Sequence, residues 1–155
     1  MEVSPLHMVL VEPEIPPNTG NIARLCAGFD VELHLVGPLG FSLEDRYLRR
    51  AGLDYWPKVR LTVWPDWERF LKGRPAGRLV MSSARRGEPC CEFSFQAGDL
   101  LVLGPETRGL PPDVAAASGL RIRIPITDNI RSLNLSTAAG IMLYEALRQV
   151  RWSCG

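Results

Sequence analysis

Leu100-Leu101-Val102-Leu103-Gly104-Pro105-Glu106-Thr107-Arg108-Gly109-Leu110-Pro111 passes from an unbroken apolar run into a dense mix of Gly, Pro and charge. Four aliphatic residues without alternation read as a strand buried on both faces, as in parallel sheets covered on each side. Runs of the same kind recur at Leu6–Val11, Val31–Val36, Leu79–Met81 and Leu120–Ile126. Between them lie segments of helical composition at Asn21–Phe29, Leu43–Ala51, Trp67–Leu71 and Pro112–Ala117, and the clearest helix runs from about Asn134 to Arg151. Alternating β and α segments predict an α/β fold with a mostly parallel sheet flanked by helices. With 155 residues and no repeat, low-complexity tract or linker, the chain reads as a single domain over 1–155.

Composition narrows the function classes. A hydrophobic fraction of 46%, a charged fraction of 23% and a net charge of +1 exclude a disordered chain and a polybasic tail protein. No apolar run reaches the roughly 18 residues of a membrane helix, and the N-terminus lacks a signal pattern. A soluble, cytoplasmic protein without membrane partners is expected. Cys26, Cys90, Cys91 and Cys154 offer no C-x-x-C pair, and His7 and His34 fall in strand-like runs without an evident ligand neighbour. All six are read as structural, and no metal is expected.

The near-neutral total hides an asymmetry. Residues 42–86 hold eleven Lys/Arg, including Arg49 and Arg50, against five Asp/Glu, a surplus of six that the remainder offsets with a deficit of five. Such a basic middle is either a phosphate-backbone footprint or a solvated helix face.

Chemistry concentrates in three segments. Glu12-Pro13-Glu14-Ile15-Pro16-Pro17-Asn18-Thr19-Gly20-Asn21-Ile22-Ala23-Arg24 follows the first strand, where three prolines suggest a rigid loop and Asn18, Thr19 and Gly20 suit a turn and a helix start. Arg24 is expected to project from the first turn or so of that helix. Polar groups beyond strand ends lie where α/β sheets place ligands. In the second segment, Gly104 permits close backbone approach, Gly109 can take positive φ, and Glu106 and Arg108 either pair with each other or meet substrate. The third, Asp128-Asn129-Ile130-Arg131-Ser132-Leu133-Asn134-Leu135-Ser136, precedes the last helix with more short polar side chains than one N-cap uses. No G-x-G-x-x-G, Walker or G-x-S-x-G pattern is present, so a dinucleotide-binding or flavodoxin-like enzyme and an acyl hydrolase both lack their fingerprints. The last helix is apolar nearly all round from Ala138 to Leu147, which predicts burial in its own domain or against a partner subunit, and in so small a chain a homodimer is expected.

Taken in order, N-T-G-N-x-x-R, G-P-E-T-R-G-L and R-S-L-N-L-S resemble the three motifs of SPOUT-class RNA 2′-O-methyltransferases. Glu12–Arg24 and Leu48-Arg49-Arg50-Ala51-Gly52-Leu53-Asp54-Tyr55 are similar to the minimal, single-domain members that methylate the wobble nucleotide, C34 or U34, of tRNA. The resemblance implies a deep trefoil knot in the C-terminal third, S-adenosyl-L-methionine as cofactor, a homodimer, and the tRNA anticodon stem-loop as partner. It places the cofactor at Ser82, Leu103, Gly104, Ile124, Ile126, Ser132 and Leu133. It makes Arg24 the residue that activates or orients the 2′-OH, with Asn18, Ser132 and Asn134 holding ribose and Arg24 in place. Substrate contacts would come from Arg24, Glu106, Arg108, Arg49, Arg50 and Tyr144, and Tyr144 reads equally well as an interface aromatic. Loop bases can stack on aromatic rings, and Tyr47, Tyr55, Trp56 and Trp64 lie in the basic middle, although Trp64 and Trp67 read equally well as core. Methylation of another tRNA or rRNA position, or a non-catalytic RNA-binding dimer, are the alternatives.

Overall fold

The computed structural model describes residues 6–46, 48 and 56–152. Among these, seven strands form one sheet: β1 His7–Val11, β2 Glu32–Val36, β3 Leu61–Trp64, β4 Leu79–Ser82, β5 Glu88–Pro89, β6 Leu100–Leu103 and β7 Arg121–Arg123. Their order is β3-β2-β1-β6-β4-β7-β5, and every paired neighbour is parallel. The helices are α1 Pro16–Phe29, α2 Trp67–Gly73, α3 Pro112–Ala115 and α4 Leu135–Val150, with a 3-10 turn at Trp56–Lys58.

The unalternated apolar runs do bury both faces. Met8 and Leu10 of β1 and Leu101 and Leu103 of β6 join Leu33 and Leu35 under α1 and α4. Val9, Val11, Leu100 and Val102 turn the other way, onto Phe70 of α2 and Val114 of α3. Burying one such side chain stabilises by about 1.5–3 kcal/mol, so the central strands carry much of the fold.

Several expectations are corrected. Helix α1 begins at Pro16, not Asn21, because Pro16 and Pro17 occupy its first positions, where a missing N–H costs nothing. Asn18, Thr19 and Gly20 therefore belong to the start of the helix itself, and Arg24 falls in its third turn rather than its first. The strand expected over Leu120–Ile126 keeps only Arg121–Arg123, since Pro125 cannot donate to a ladder. Helix α3 stops at Ala115, short of Ala117. Strand β3 is an addition to the predicted set: it is a short edge strand, only partly buried, with Thr62 interrupting its apolar pattern. The two-residue β5 is too brief to leave a pattern. Of the helix expected at Leu43–Ala51, residues 43–45 form a turn rather than helix and Arg46 and Leu48 are helical, while Tyr47, Arg49, Arg50 and Ala51 lie outside the described residues, as do Tyr55 and Cys154. No helix among the described residues is long and apolar enough to cross a membrane.

Helix α4 is not covered all round. Thr137, Ile141, Tyr144 and Arg148 form an exposed stripe, while Ala139, Met142, Leu143, Ala146 and Leu147 face the core. Helix α1 packs beside α4 and presents its own exposed stripe of Pro17, Asn21, Arg24 and Gly28. The basic middle is likewise more local than its charge suggests: Arg60 pairs with Asp30, Arg69 with Asp66, Lys72 with Glu68, and Arg78 with buried Asp99. Trp64 and Trp67 pack against the core around Phe70, which settles them as structural.

Candidate active site

The loops after β1 and β6 meet at the carboxyl ends of the two central strands, and they interlock. The carboxylate of Glu106 accepts from the backbone N–H of Glu14 and of Ile15, both at 2.9 Å, and from Asn18 Nδ2 at 3.2 Å. Ile15 is the N-cap of α1 and makes no side-chain cap bond, so Glu106 supplies the negative charge that a helix N-terminus favours. The reverse contact completes the clasp: Glu14 Oε1 accepts from Thr107 N at 3.0 Å and Thr107 Oγ1 at 2.7 Å. These bonds from Thr107, aided by Arg108, hold the Glu14 carboxyl below its ordinary range. Arg108 pairs with Glu12 at 3.5 Å and Glu14 at 3.6 Å. Of the two readings of Glu106 and Arg108, the mutual pair is not formed; both side chains instead cross to the first segment.

The third segment is tied to the first through a pair of amides. Asn18 is buried, and its Oδ1 accepts from Asn134 Nδ2 at 3.1 Å. Asn134 in turn caps α4, its Oδ1 accepting from Ser136 N at 2.9 Å and Thr137 N at 3.3 Å. A line of hydrogen bonds therefore runs from Glu106 through Asn18 and Asn134 into α4, joining segments up to 116 residues apart. Ser136 Oγ also donates to Asn134 Oδ1, at 2.7 Å, which uses one of the surplus polar groups.

Beside this line opens a cavity of about 1110 Å³. Its wall includes Ser82, Leu103, Gly104, Ile124, Ile126, Ser132 and Leu133, all seven residues expected at the cofactor, together with Glu106, Arg108, Leu135 and Met142. Gly104 is required by packing: a Cβ there would stand 2.5 Å from Leu110 N and 2.6 Å from Gly109 C. The loop folds back upon itself at that point, helped by Gly109 at φ +70°. A wall that combines Leu103, Ile124, Ile126 and Leu133 with the hydroxyls of Ser82, Ser83, Thr107 and Ser132 suits a ligand that joins a flat aromatic base to a polar tail, which is the make-up of S-adenosylmethionine. Arg24, Asn18, Asn134 and Tyr144 do not line the cavity. Arg24 stands exposed on α1, and Tyr144 is 55% exposed on α4, its ring 5.8 Å from Trp152.

Sequence reasoning misses another polar cluster. His7 and His34, read as lacking a ligand neighbour, lie with Nδ1 and Nε2 3.2 Å apart, and Glu32 approaches them at 3.5 and 3.9 Å. The register of β1 on β2 explains this, since His7 pairs with Glu32 and Val9 with His34. Trp64 Nε1–H donates to His34 Nδ1 at 3.1 Å, so neutral His34 carries its hydrogen on Nε2 and donates it to His7. The gap between the rings thus holds a hydrogen rather than two lone pairs. Burial lowers the pKa of both, His34 to about 4, against an opposing pull from Glu32. Burial also pushes the Cys26 thiol up to about 12, in keeping with a structural role.

Known proteins carry the same architecture. A 2′-O-methyltransferase of Methylovorus glucosotrophus, named tRNA (cytidine(34)-2′-O)-methyltransferase, is 48% identical over 144 residues, covering 92% of this chain and 94% of that protein. A structure described as giving insight into 2′-OH methylation of C/U34 on tRNA aligns with a TM-score of 0.89 at 47% identity, covering 93% of this chain and 95% of the other. The SpoU methyltransferase AviRb from Streptomyces viridochromogenes, solved in complex with AdoMet, aligns with a TM-score of 0.82 at 25% identity, covering 96% of this chain and 62% of AviRb. The model of the SpoU rRNA methylase family matches residues 5–144. On that match over most of its length, and with the second and third motifs lining one cavity while the first is hydrogen-bonded to both, the chain belongs to the SpoU rRNA methylase family.

Proposed function

We propose that the protein is a tRNA 2′-O-ribose methyltransferase that uses S-adenosyl-L-methionine to methylate the wobble nucleotide, C34 or U34, of the anticodon loop. The observation that carries this reading is the cavity itself: one pocket gathers the residues expected at the cofactor, and it abuts the Glu106–Asn18–Asn134 line. The relatives named for this reaction match nearly the whole chain. A tRNA substrate is in keeping with a cytoplasmic location.

When bound, the cofactor would supply a methyl group made electrophilic by its sulfonium to the ribose 2′-oxygen, whose proton would pass to solvent. The protein's task is alignment and charge stabilisation. Arg24 is the residue assigned to the hydroxyl, and its guanidinium, a donor without an acceptor site, polarises rather than deprotonates. Ser132 lies on the cavity wall, within the segment assigned to the ribose. Asn18 and Asn134, already committed to each other and to the cap of α4, act as positioning residues. Glu106 and Arg108 hold the second loop against the first. Arg49, Arg50 and Tyr144 remain assigned to tRNA.

Within one protomer, Arg24 stands away from the cavity wall, on the exposed stripe of α1, and the neighbouring α4 exposes Ile141 and Tyr144. This favours a homodimer formed across α1 and α4, in which one protomer's Arg24 serves its partner's cavity. The reading of a C-terminal trefoil knot is supported by the proximity of the loop after β4 to the segment after β7. The test is a catalogue of digested tRNA nucleosides from a deletion strain and its parent. Loss of the 2′-O-methyl group at nucleotide 34 is expected, and its full retention would overturn the assignment.

A further inference from the structure

After Arg123 the chain leaves the sheet, and residues 126–132 form one side of the cavity through Ile126, Ile130 and Ser132. Nearly all of this stretch is exposed. It offers itself little support, beyond Asn129 N donating to Thr127 Oγ1 at 3.3 Å. Among the described residues, every hydrogen bond that ties it to the rest of the chain comes from one guanidinium. Arg85 donates to the carbonyl oxygens of Ile126 at 3.4 Å, of Thr127 at 3.2 Å, and of Ile130. Its ion pair with Asp128, at 3.7 Å, involves a fully exposed carboxylate and contributes little. The carbonyl bonds therefore carry the contact.

Arg85 is itself held in place. It lies in the turn after β4, where Ser83 Oγ accepts from the N–H of Arg85 at 3.4 Å and of Arg86 at 3.1 Å. That turn also lines the cavity, through Ser83, Ala84, Arg85 and Arg86. A planar fork with five N–H donors can reach several carbonyls at once, which three donors on one ammonium do less well.

We infer that Arg85 is a positioning residue for methyl transfer: by gripping residues 126–130 it fixes the cavity wall and so sets how tightly S-adenosylmethionine is held. This rests on the reading of the cavity as the cofactor pocket. Hydrogen bonds from a charged donor to an exposed loop set the scale of the effect, about tenfold in the cofactor's dissociation constant.

Calorimetric titration of S-adenosylmethionine into the wild type, R85A and R85K tests this, alongside steady-state transfer to tRNA. R85A should bind the cofactor about tenfold more weakly and raise its KM by a similar factor, while kcat at saturating cofactor changes less than about threefold. R85K should recover part of the loss. Backbone amides of residues 126–132 should exchange faster with solvent in R85A, with the remaining amides unchanged. If the wild type takes up no cofactor, the pocket reading itself fails. If the wild type binds and R85A matches it within about twofold, the role of Arg85 alone is overturned. Weaker tRNA binding with unchanged cofactor affinity would also overturn it, assigning Arg85 to the RNA instead.

Discussion

At the carboxyl ends of β1 and β6, Glu106, Asn18 and Asn134 join three loops beside an open cavity. At the amino halves of β1 and β2, His7, Glu32 and His34 form a cluster as compact, under Trp64 and Phe70. Judged by residue type alone, the histidine cluster is the more chemical of the two, with two imidazoles, a carboxylate and a pKa moved to about 4. It nevertheless lies within the sheet, where the hydrogen from Trp64 fixes the direction of each bond. The loop cluster has ordinary amides and a carboxylate, but it stands where a ligand can be reached. Position relative to the strand ends is what marks the loop cluster as the candidate site, where residue type and titration would point to the histidines.

The sharpest way to break this contrast is Arg24→Ala. Methyl transfer should fall by about three orders of magnitude, since a cation at a developing alkoxide acts mainly in the transition state. Calorimetry should find cofactor binding nearly unchanged. Transfer surviving within about tenfold would move the chemistry away from α1.

The histidine cluster is tested by acid. The unfolded chain takes up protons on its histidines near pH 6.5, whereas folded His34 resists until about pH 4. Stability should therefore be complete above about pH 6.5 and decline as pH falls toward 4, by up to about 3 kcal/mol. Urea unfolding across this window measures it, and His34→Gln, which keeps an acceptor for Trp64, should flatten the curve. Glu14 and Glu145, whose pKa values are lowered from 4.5, add their own loss as pH falls through that value, so they overlap only the acid end of the window. A wild-type curve already flat between these limits would remove the cluster from the stability argument.

Glu106→Gln comes next. It places an amide against N–H groups that now meet a carboxylate, and should cost about 2 kcal/mol in urea unfolding together with weaker cofactor binding. Loss of stability with normal binding would separate the clasp from the cavity. Arg108→Ala should matter least, because its partners are long, exposed contacts: a melting shift within about 2 °C is expected.

What is legible in the sequence follows range along the chain. Strands β1, β2, β4 and β6 declare themselves because both faces are apolar, whereas β3 at the edge keeps only a partial pattern. Pro16 and Pro17 read as loop because proline usually breaks helices, yet they are the first residues of α1. The role of Glu106 is hidden because its partners lie 88 to 92 residues away. His7 and His34 are opaque for the same reason, and only the register of β1 on β2 brings them together. The residues of the cavity wall are legible through the motifs, but the hold of Arg85 upon that wall depends on contacts across 41 to 45 residues.

The sheet order has a consequence for how the protein is made. Strand β1 finds β2 soon after it leaves the ribosome, but its other neighbour, β6, is translated some ninety residues later. At about 5–20 residues per second, one flank of β1 waits roughly 5–20 s, an apolar edge without a partner. Closure of the sheet by β6, with the long loop it must draw in, is then the slow event of biogenesis. Residues 42–86, with their surplus of six positive charges, fall within the span between β2 and β6, and like charge keeps nascent copies apart while that edge stands open.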